Sequence, residues 1–214
     1  MRCTVTKIYD SKVVWEDEVS RMNYYLDIET TGLVELHSKI ITIQYMELDR
    51  NTAKPIGPLK ILKEWESDEK TILKWFIEDF VPLNQWAFIP IGFNLQFEHK
   101  FLWQRCISNG LQPVDILNGP FLDLKTIAVL MNKGEFKGAS LHNMTNKPRG
   151  GGDIPQLYAD KNFGEIESYI KKETDEFVGL AQWLYREMPQ MLEKFRQHLS
   201  QNIENKTWQH NVWE

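Results

Sequence analysis

The segment Tyr24–Gly32, YYLDIETTG, constrains this chain more than any other, because it sets two acids inside a strand pattern. Its apolar residues are dense enough for a buried strand, and side chains at i and i+2 of a strand share a face. Tyr25, Asp27 and Glu29 therefore point one way, and Leu26 and Ile28 the other. Carboxylates side by side repel, and near a core each is costly unless something compensates it. Basic neighbours, a solvent-facing strand end or a shared cation would each resolve the conflict. Oxygen-only donors suit a hard divalent ion such as Mg²⁺ or Mn²⁺. A lone D-x-E more often marks a solvated strand end, so the remaining acids decide.

The pattern around this segment alternates strands and helices. Residues 3–9 and 12–19 read as a hairpin turned at Asp10-Ser11. Strands are expected at 23–29, 40–48 and 58–63, and a helix at 68–81, which opens with Asp68 and Glu69. A short apolar strand at 87–93 leads to Asn94, placed to cap a helix that runs to about Ser108 and ends at Asn109-Gly110. A further helix fits 123–132, with Asp123 as its N-cap. Residues 133–156 read as a Gly-, Lys- and Pro-rich loop with one helical turn at 140–145. A last long helix starts near 164 and reaches 186 or beyond. Early strands followed by alternation predict an α/β fold with a mixed central sheet flanked by helices.

Two of the expected helices carry an acid in an apolar stripe. In NLQFEHKFL, Glu98 falls between Leu95, Phe101 and Leu102 on one face. A glutamate at the edge of the stripe, reaching water past its own stem, is the structural alternative. In YIKKETDEF two acids compete. Glu173 lies in the middle of the stripe formed by Ile166, Tyr169, Ile170, Phe177, Leu180, Ala181 and Leu184. Asp175 is turned roughly 200° away from Glu173 and faces solvent. Tyr169 stands one turn before Glu173 on the same side. A carboxylate centred on an apolar stripe needs a partner, and a metal shared with Asp27 and Glu29 would be one.

Composition sets outer bounds. The chain has 214 residues, 42% hydrophobic and 26% charged, which fits an ordinary globular protein with one substantial core. Its net charge is −5 and its pI about 5.6, so any nucleic-acid contact must be local rather than a generally basic surface. Cys3 and Cys106 match no metal-site spacing and read as reduced thiols. No apolar run approaches ~18 residues, and the first residues lack the apolar stretch of a leader peptide. The expectation is a cytoplasmic protein without a membrane span.

Three motifs in order resemble the DEDD 3′–5′ exonucleases, which have a ribonuclease H-like fold: LDIETTGL, then GFNLQFEHKFL, then IPQLYADKNFGEIESYIKKETDEF. The resemblance covers roughly residues 22–185 and is nearer the tyrosine branch, which includes the proofreading domains of DNA polymerases. The histidine branch would place His where Ser168 or Ile170 stands. The organisation then implied is an N-terminal β-hairpin extension over 1–20, an exonuclease-like domain over 21–190 and a C-terminal helix or tail over 191–214.

By this resemblance Asp27, Glu29, Glu98 and Glu173 would bind two divalent ions, Mg²⁺ or Mn²⁺, and Tyr169 would orient the attacking water. Asp27 would bridge both ions, Glu29 and Glu173 would hold the first, and Glu98 would act on the second through water. One ion would activate the water and the other stabilise the leaving 3′ oxygen. Thr30, through its backbone N–H, and Leu33, as a wedge against the base, would meet the terminal nucleotide. Asn94 and Phe97 would flank the scissile end. The substrate would be a free, single-stranded 3′ end, DNA ahead of RNA, with a polymerase or repair protein as a partner. Lys133, Lys137, His142, Lys147 and Arg149 make the loop at 133–149 a candidate phosphate contact. Trp208 and Trp213, in a polar tail, have no assigned role. The chain departs from the family where Glu98 and Glu173 replace aspartates, each carboxylate standing one methylene further out. A misplacement of ~1 Å can cost ~100-fold in rate. The second reading is therefore a nucleic-acid-binding or interaction module on the same fold, impaired in hydrolysis.

Overall fold

Strand β4 (Ile40–Leu48) explains the architecture: nearly every residue in it is buried, as in a strand covered on both faces. It pairs antiparallel with β3 (Asn23–Thr30) on one side and with β5 (Lys60–Lys63) on the other. Helix α1 (Glu69–Phe80) then crosses over, and β6 (Ile89–Gly92) returns parallel to β3. Helix α2 (Leu95–Ser108) leads to the short β7 (Leu122–Asp123), parallel to β6. The sheet order is β5-β4-β3-β6-β7. Four further helices follow: α3 (Lys125–Met131), α4 (Leu141–Met144), α5 (Ile154–Ala159) and α6 (Phe163–His210). This computed structural model describes residues 8–9, 12–13, 22–80, 88–145 and 151–210, with backbone alone for 8–9, 12–13 and 201–210.

The alternation of β3 divides the core. Leu26 and Ile28 pack with Ile72, Phe76, Phe101 and Leu102 of α1 and α2 on one face. Tyr25 packs with Phe177, Ala181 and Leu184 of α6 on the other. A satellite cluster joins Ile41 to Ile154, Ile166 and Ile170. The result is a mixed sheet between two helical layers, the ribonuclease H-like α/β architecture expected from the sequence.

An ion pair between the half-buried Arg105 and the buried Glu69 ties α1, α2 and the start of β4 together. Arg105 Nε and Nη2 donate to the two carboxylate oxygens of Glu69 at 2.8 and 2.7 Å. Glu69 also accepts from the Ile40 amide at 2.7 Å and from Asn109 Nδ2 at 3.0 Å. Cys106 is buried in the first core, and desolvation pushes its thiol up to about 11, so it is unreactive packing.

Most expected elements are present, and the differences have local causes. Within the loop expected over 133–156, the turn at 141–144 forms, but α5 was not anticipated; Pro155 in its first turn starts a helix readily. Helix α6 continues to His210, so residues 191–210 of the expected C-terminal helix or tail are helical. Of the expected N-terminal hairpin, β1 (Ile8–Tyr9) and β2 (Lys12–Val13) pair antiparallel, Ile8 with Val13 and Tyr9 with Lys12. Its remaining residues, Cys3, Lys147, Arg149 and Trp213 lie outside the described residues. Among the described residues, no helix is long and apolar enough to cross a membrane.

Candidate active site

The ladder between β3 and β6 ends at Tyr25–Ile91, whereas the ladder between β3 and β4 runs on to Thr30. Beyond Tyr25 the chain leaving β6 turns into α2, and a crevice opens beside β3. Gly92 permits this junction. A Cβ there would lie 3.0 Å from the Leu26 carbonyl oxygen and would clash with Leu95 Cδ2. Asp27 and Glu29 project into the crevice on the Tyr25 face of β3, because the strand period is two.

Helix α6 brings the third acid. Phe177 packs against Tyr25 with the rings tilted and their centroids 4.8 Å apart, which seats α6 on the sheet. Glu173, one turn earlier, then hangs over the strand acids. Asp27, Glu29 and Glu173 each offer a carboxylate oxygen within 4.8 Å of the others. Glu173 is only 7% exposed and Glu29 9%. Asp175 is exposed, as the helical wheel requires.

Glu98 approaches from the opposite wall. It is 3% exposed, and its Oε2 has no hydrogen-bond partner among the described residues. It stands within hydrogen-bonding reach of Asp27 but outside the three-oxygen cluster. Desolvation, reinforced by the Asp27 charge, raises its pKa well above the usual glutamate range.

Tyr169 is buried beside Glu173, within hydrogen-bonding reach. Burial first, then the charges of Glu173 and Glu29, push its hydroxyl far above its ordinary value. Gly151 backs this hydroxyl so closely that a Cβ there would lie 3.1 Å from it.

The nine residues that the three motifs assign to the site line one cleft of about 660 Å³: Asp27, Glu29, Thr30, Leu33, Asn94, Phe97, Glu98, Tyr169 and Glu173. Leu33 is 83% exposed at the mouth. Phe97 has a double attachment, lining the cleft while its ring packs 4.7 Å from Phe101 in the core. Thr30 Oγ1 donates to the Gly32 carbonyl at 2.6 Å, which shapes the turn carrying Leu33.

Asn94 corrects the sequence reading. It adopts a left-handed conformation, φ 76°, and its side chain caps nothing in α2. Asp123 does that work from β7, accepting from the Asn94 and Leu95 amides at 2.8 and 3.0 Å. Asp123 also accepts from the Lys125 amide at 3.0 Å, but it lies in β7 and the cap position of α3 falls to Leu124, so the expected cap of that helix serves α2 instead. A residue close in space but distant in sequence displaced the local cap.

Of the basic loop, His142 lines the cleft, and Lys133 and Lys137 do not. Two residues were missed. Lys125, at the start of α3, lines the cleft and donates to Asn94 Oδ1 at 2.8 Å. Gln44 sits directly across from Asp27 on β4 and donates to Asp27 Oδ2 at 2.8 Å. The available signal was a polar pair, Thr42 and Gln44, at i and i+2 inside an otherwise apolar strand.

Comparison with known proteins agrees with this fold. A model of the RNase H superfamily matches residues 24–149, more than half of the sequence, and the chain belongs to that superfamily. Among solved structures, it is similar to E. coli exonuclease I in complex with a dT13 oligonucleotide. That match has a TM-score of 0.57 at 11% identity, over 84% of this chain and 44% of the other. An ExoI/SSB-Ct complex gives a TM-score of 0.56 at 10% identity, over 83% and 43%. The chain thus spans less than half the length of either, and identity this low shows a common fold alone. No match was found among curated proteins.

Proposed function

We propose that the chain is a metal-dependent 3′–5′ exonuclease that hydrolyses the terminal phosphodiester bond of a nucleic-acid strand, DNA in preference to RNA. The observation that carries this reading is the convergence of Asp27, Glu29 and Glu173 within 4.8 Å on the wall of a cleft lined by every residue the motifs singled out. Membership of the RNase H superfamily supports it. So does the likeness in fold to exonuclease I, a protein crystallised with dT13.

The donor set fits hard divalent cations: three convergent carboxylates, with a fourth, Glu98, buried beside Asp27 and one oxygen unpaired among the described residues. Asp27, Glu29 and Glu173, with Glu98, would hold two Mg²⁺ or Mn²⁺ ions, whose chemistry is to make water a nucleophile and to stabilise a leaving oxygen. The chain's own groups do the rest. Tyr169 stays protonated across the working pH range, so it donates a hydrogen bond that orients water and takes no proton. Leu33 and Phe97 border the terminal base, while Thr30 and Asn94 contact the terminal nucleotide. Lys125, held against Asn94, offers a positive charge to a phosphate. Glu98 must give up its proton to serve as a ligand.

One observation favours the second reading, a nucleic-acid-binding module with impaired hydrolysis: Glu98 stands outside the three-oxygen cluster. The test is divalent-dependent release of mononucleotides, abolished in Asp27→Ala. Binding without turnover, with turnover appearing in Glu98→Asp/Glu173→Asp, would favour the module.

A further inference from the structure

Two smaller hollows continue the cleft around α2. The first, about 190 Å³, shares Leu33, Asn94 and Phe97 with the main cleft and extends to Glu35 and Lys100. The second, about 260 Å³, shares Glu35 and Lys100 with the first and ends at Trp103. Asn94, Phe97, Lys100 and Trp103 stand three residues apart, so they follow a path that climbs α2 by about 14 Å while winding about halfway around it. The opposite wall is the 31–39 loop. Arg105 Nη1 ties this loop to α2 by donating to the Glu35 carbonyl at 3.5 Å.

An exposed cation between two aromatic surfaces is the chemistry that single-stranded nucleic acid uses, with lysine on phosphate and an aromatic ring on a base. Lys100 is exposed, Phe97 lines the first hollow, and Trp103 is 39% exposed with its ring 5.9 Å from His99. Glu35 and Asp115 also border the path, and Asp115 lies 3.5 Å from His99 Nδ1. Affinity along the path therefore comes from stacking more than from charge. With the half-turn included the path is about 20 Å long, and at a rise of ~3.4 Å per nucleotide it holds about six stacked nucleotides.

We infer that this path is the binding track for the single strand leading into the cleft, with Trp103 as the stacking platform at its far end. The inference rests on the reading of the cleft as a site for a 3′ end. It places a strand-length requirement in α2, outside the acidic centre.

Fluorescence anisotropy with 5′-labelled dT3 and dT10, in EDTA so that no strand is cut, tests it. Trp103→Ala should weaken dT10 binding by roughly ten-fold, and Trp103→Phe should restore most of it. The trimer, too short to reach Trp103, should show no such change. Lys100→Ala, at an exposed position, should weaken dT10 and lower the salt slope by about one. Trp75→Ala, an exposed tryptophan lining none of the three hollows, is the control. Unchanged dT10 affinity in Trp103→Ala with an unchanged melting temperature would overturn the track, as would no dT10 binding by the parent protein or an equal loss in Trp75→Ala. Binding that depends on Trp103 without any hydrolysis in Mg²⁺ or Mn²⁺ would uphold the track and refute the exonuclease. Hydrolysis with a KM for dT10 indifferent to Trp103 would refute the track alone.

Discussion

Gln44 Nε2 donates to Asp27 Oδ2 at 2.8 Å between directly opposed residues of β4 and β3. The amide is oriented in turn: its Oε1 accepts from Thr42 Oγ1 at 2.9 Å, and both β4 side chains are fully buried. A buried pair thus fixes which way the Asp27 carboxylate faces. Partners that orient a ligating carboxylate typically contribute 10–100-fold to metal affinity. Gln44→Leu, similar in size, should therefore weaken Mn²⁺ binding by ~10–100-fold in calorimetry while the fold persists. Equal affinity would show that Asp27 needs no such support.

Glu98 gives a pH dependence. Its pKa is raised in the folded protein by burial and by Asp27, so the folded state holds this proton more tightly than the unfolded chain. Its contribution favours folding below the ordinary value of 4.5 and is lost as pH rises above it. In EDTA, Glu98→Gln should melt higher than the parent at pH 8, and the gap should close toward pH 4.5. Parallel melting curves across that range would contradict the assignment.

Tyr169 and Gly151 form a pair with graded consequences. Tyr169→Phe removes the donor beside Glu173 and should lower kcat by ~100-fold with little change in KM. Gly151→Ala places a methyl group 3.1 Å from the same hydroxyl and should produce a smaller fall of the same kind. Steady-state kinetics on a labelled oligonucleotide would check both. A change confined to KM would show that Tyr169 acts in binding.

Arg105→Ala should destabilise the fold without touching the acids. It would leave Glu69 charged and buried between α1, α2 and β4, at a cost of about 3 kcal/mol or more. Urea denaturation measures this directly. A loss under about 1 kcal/mol would mean that solvent reaches Glu69 when its partner is gone.

Much of this site was legible in the sequence because two periodicities, two for strands and 3.6 for helices, settle where each acid points. D-x-E on β3, Glu98 in the stripe of α2 and Glu173 in the stripe of α6 all needed only local geometry. The same reasoning separated Glu173 from Asp175. What escaped it was pairing across distance. Gln44 acquires its meaning only through the β3–β4 register, Asp123 by reaching the start of α2 from β7, and Glu69 by meeting Arg105 from another helix. Local signals also misread Asn94, whose side chain turned to Lys125 once Asp123 had taken the helix amides.

The central claim, that the acidic cluster hydrolyses a 3′ end, is tested most directly by a time course on 5′-labelled single-stranded DNA and RNA oligonucleotides. The reactions contain Mg²⁺, Mn²⁺ or EDTA, beside Asp27→Ala. The account predicts a ladder that shortens from the 3′ end with either metal, runs faster on DNA, and vanishes in EDTA and in Asp27→Ala. No shortening by folded protein with either metal, or a ladder that survives Asp27→Ala, would contradict it.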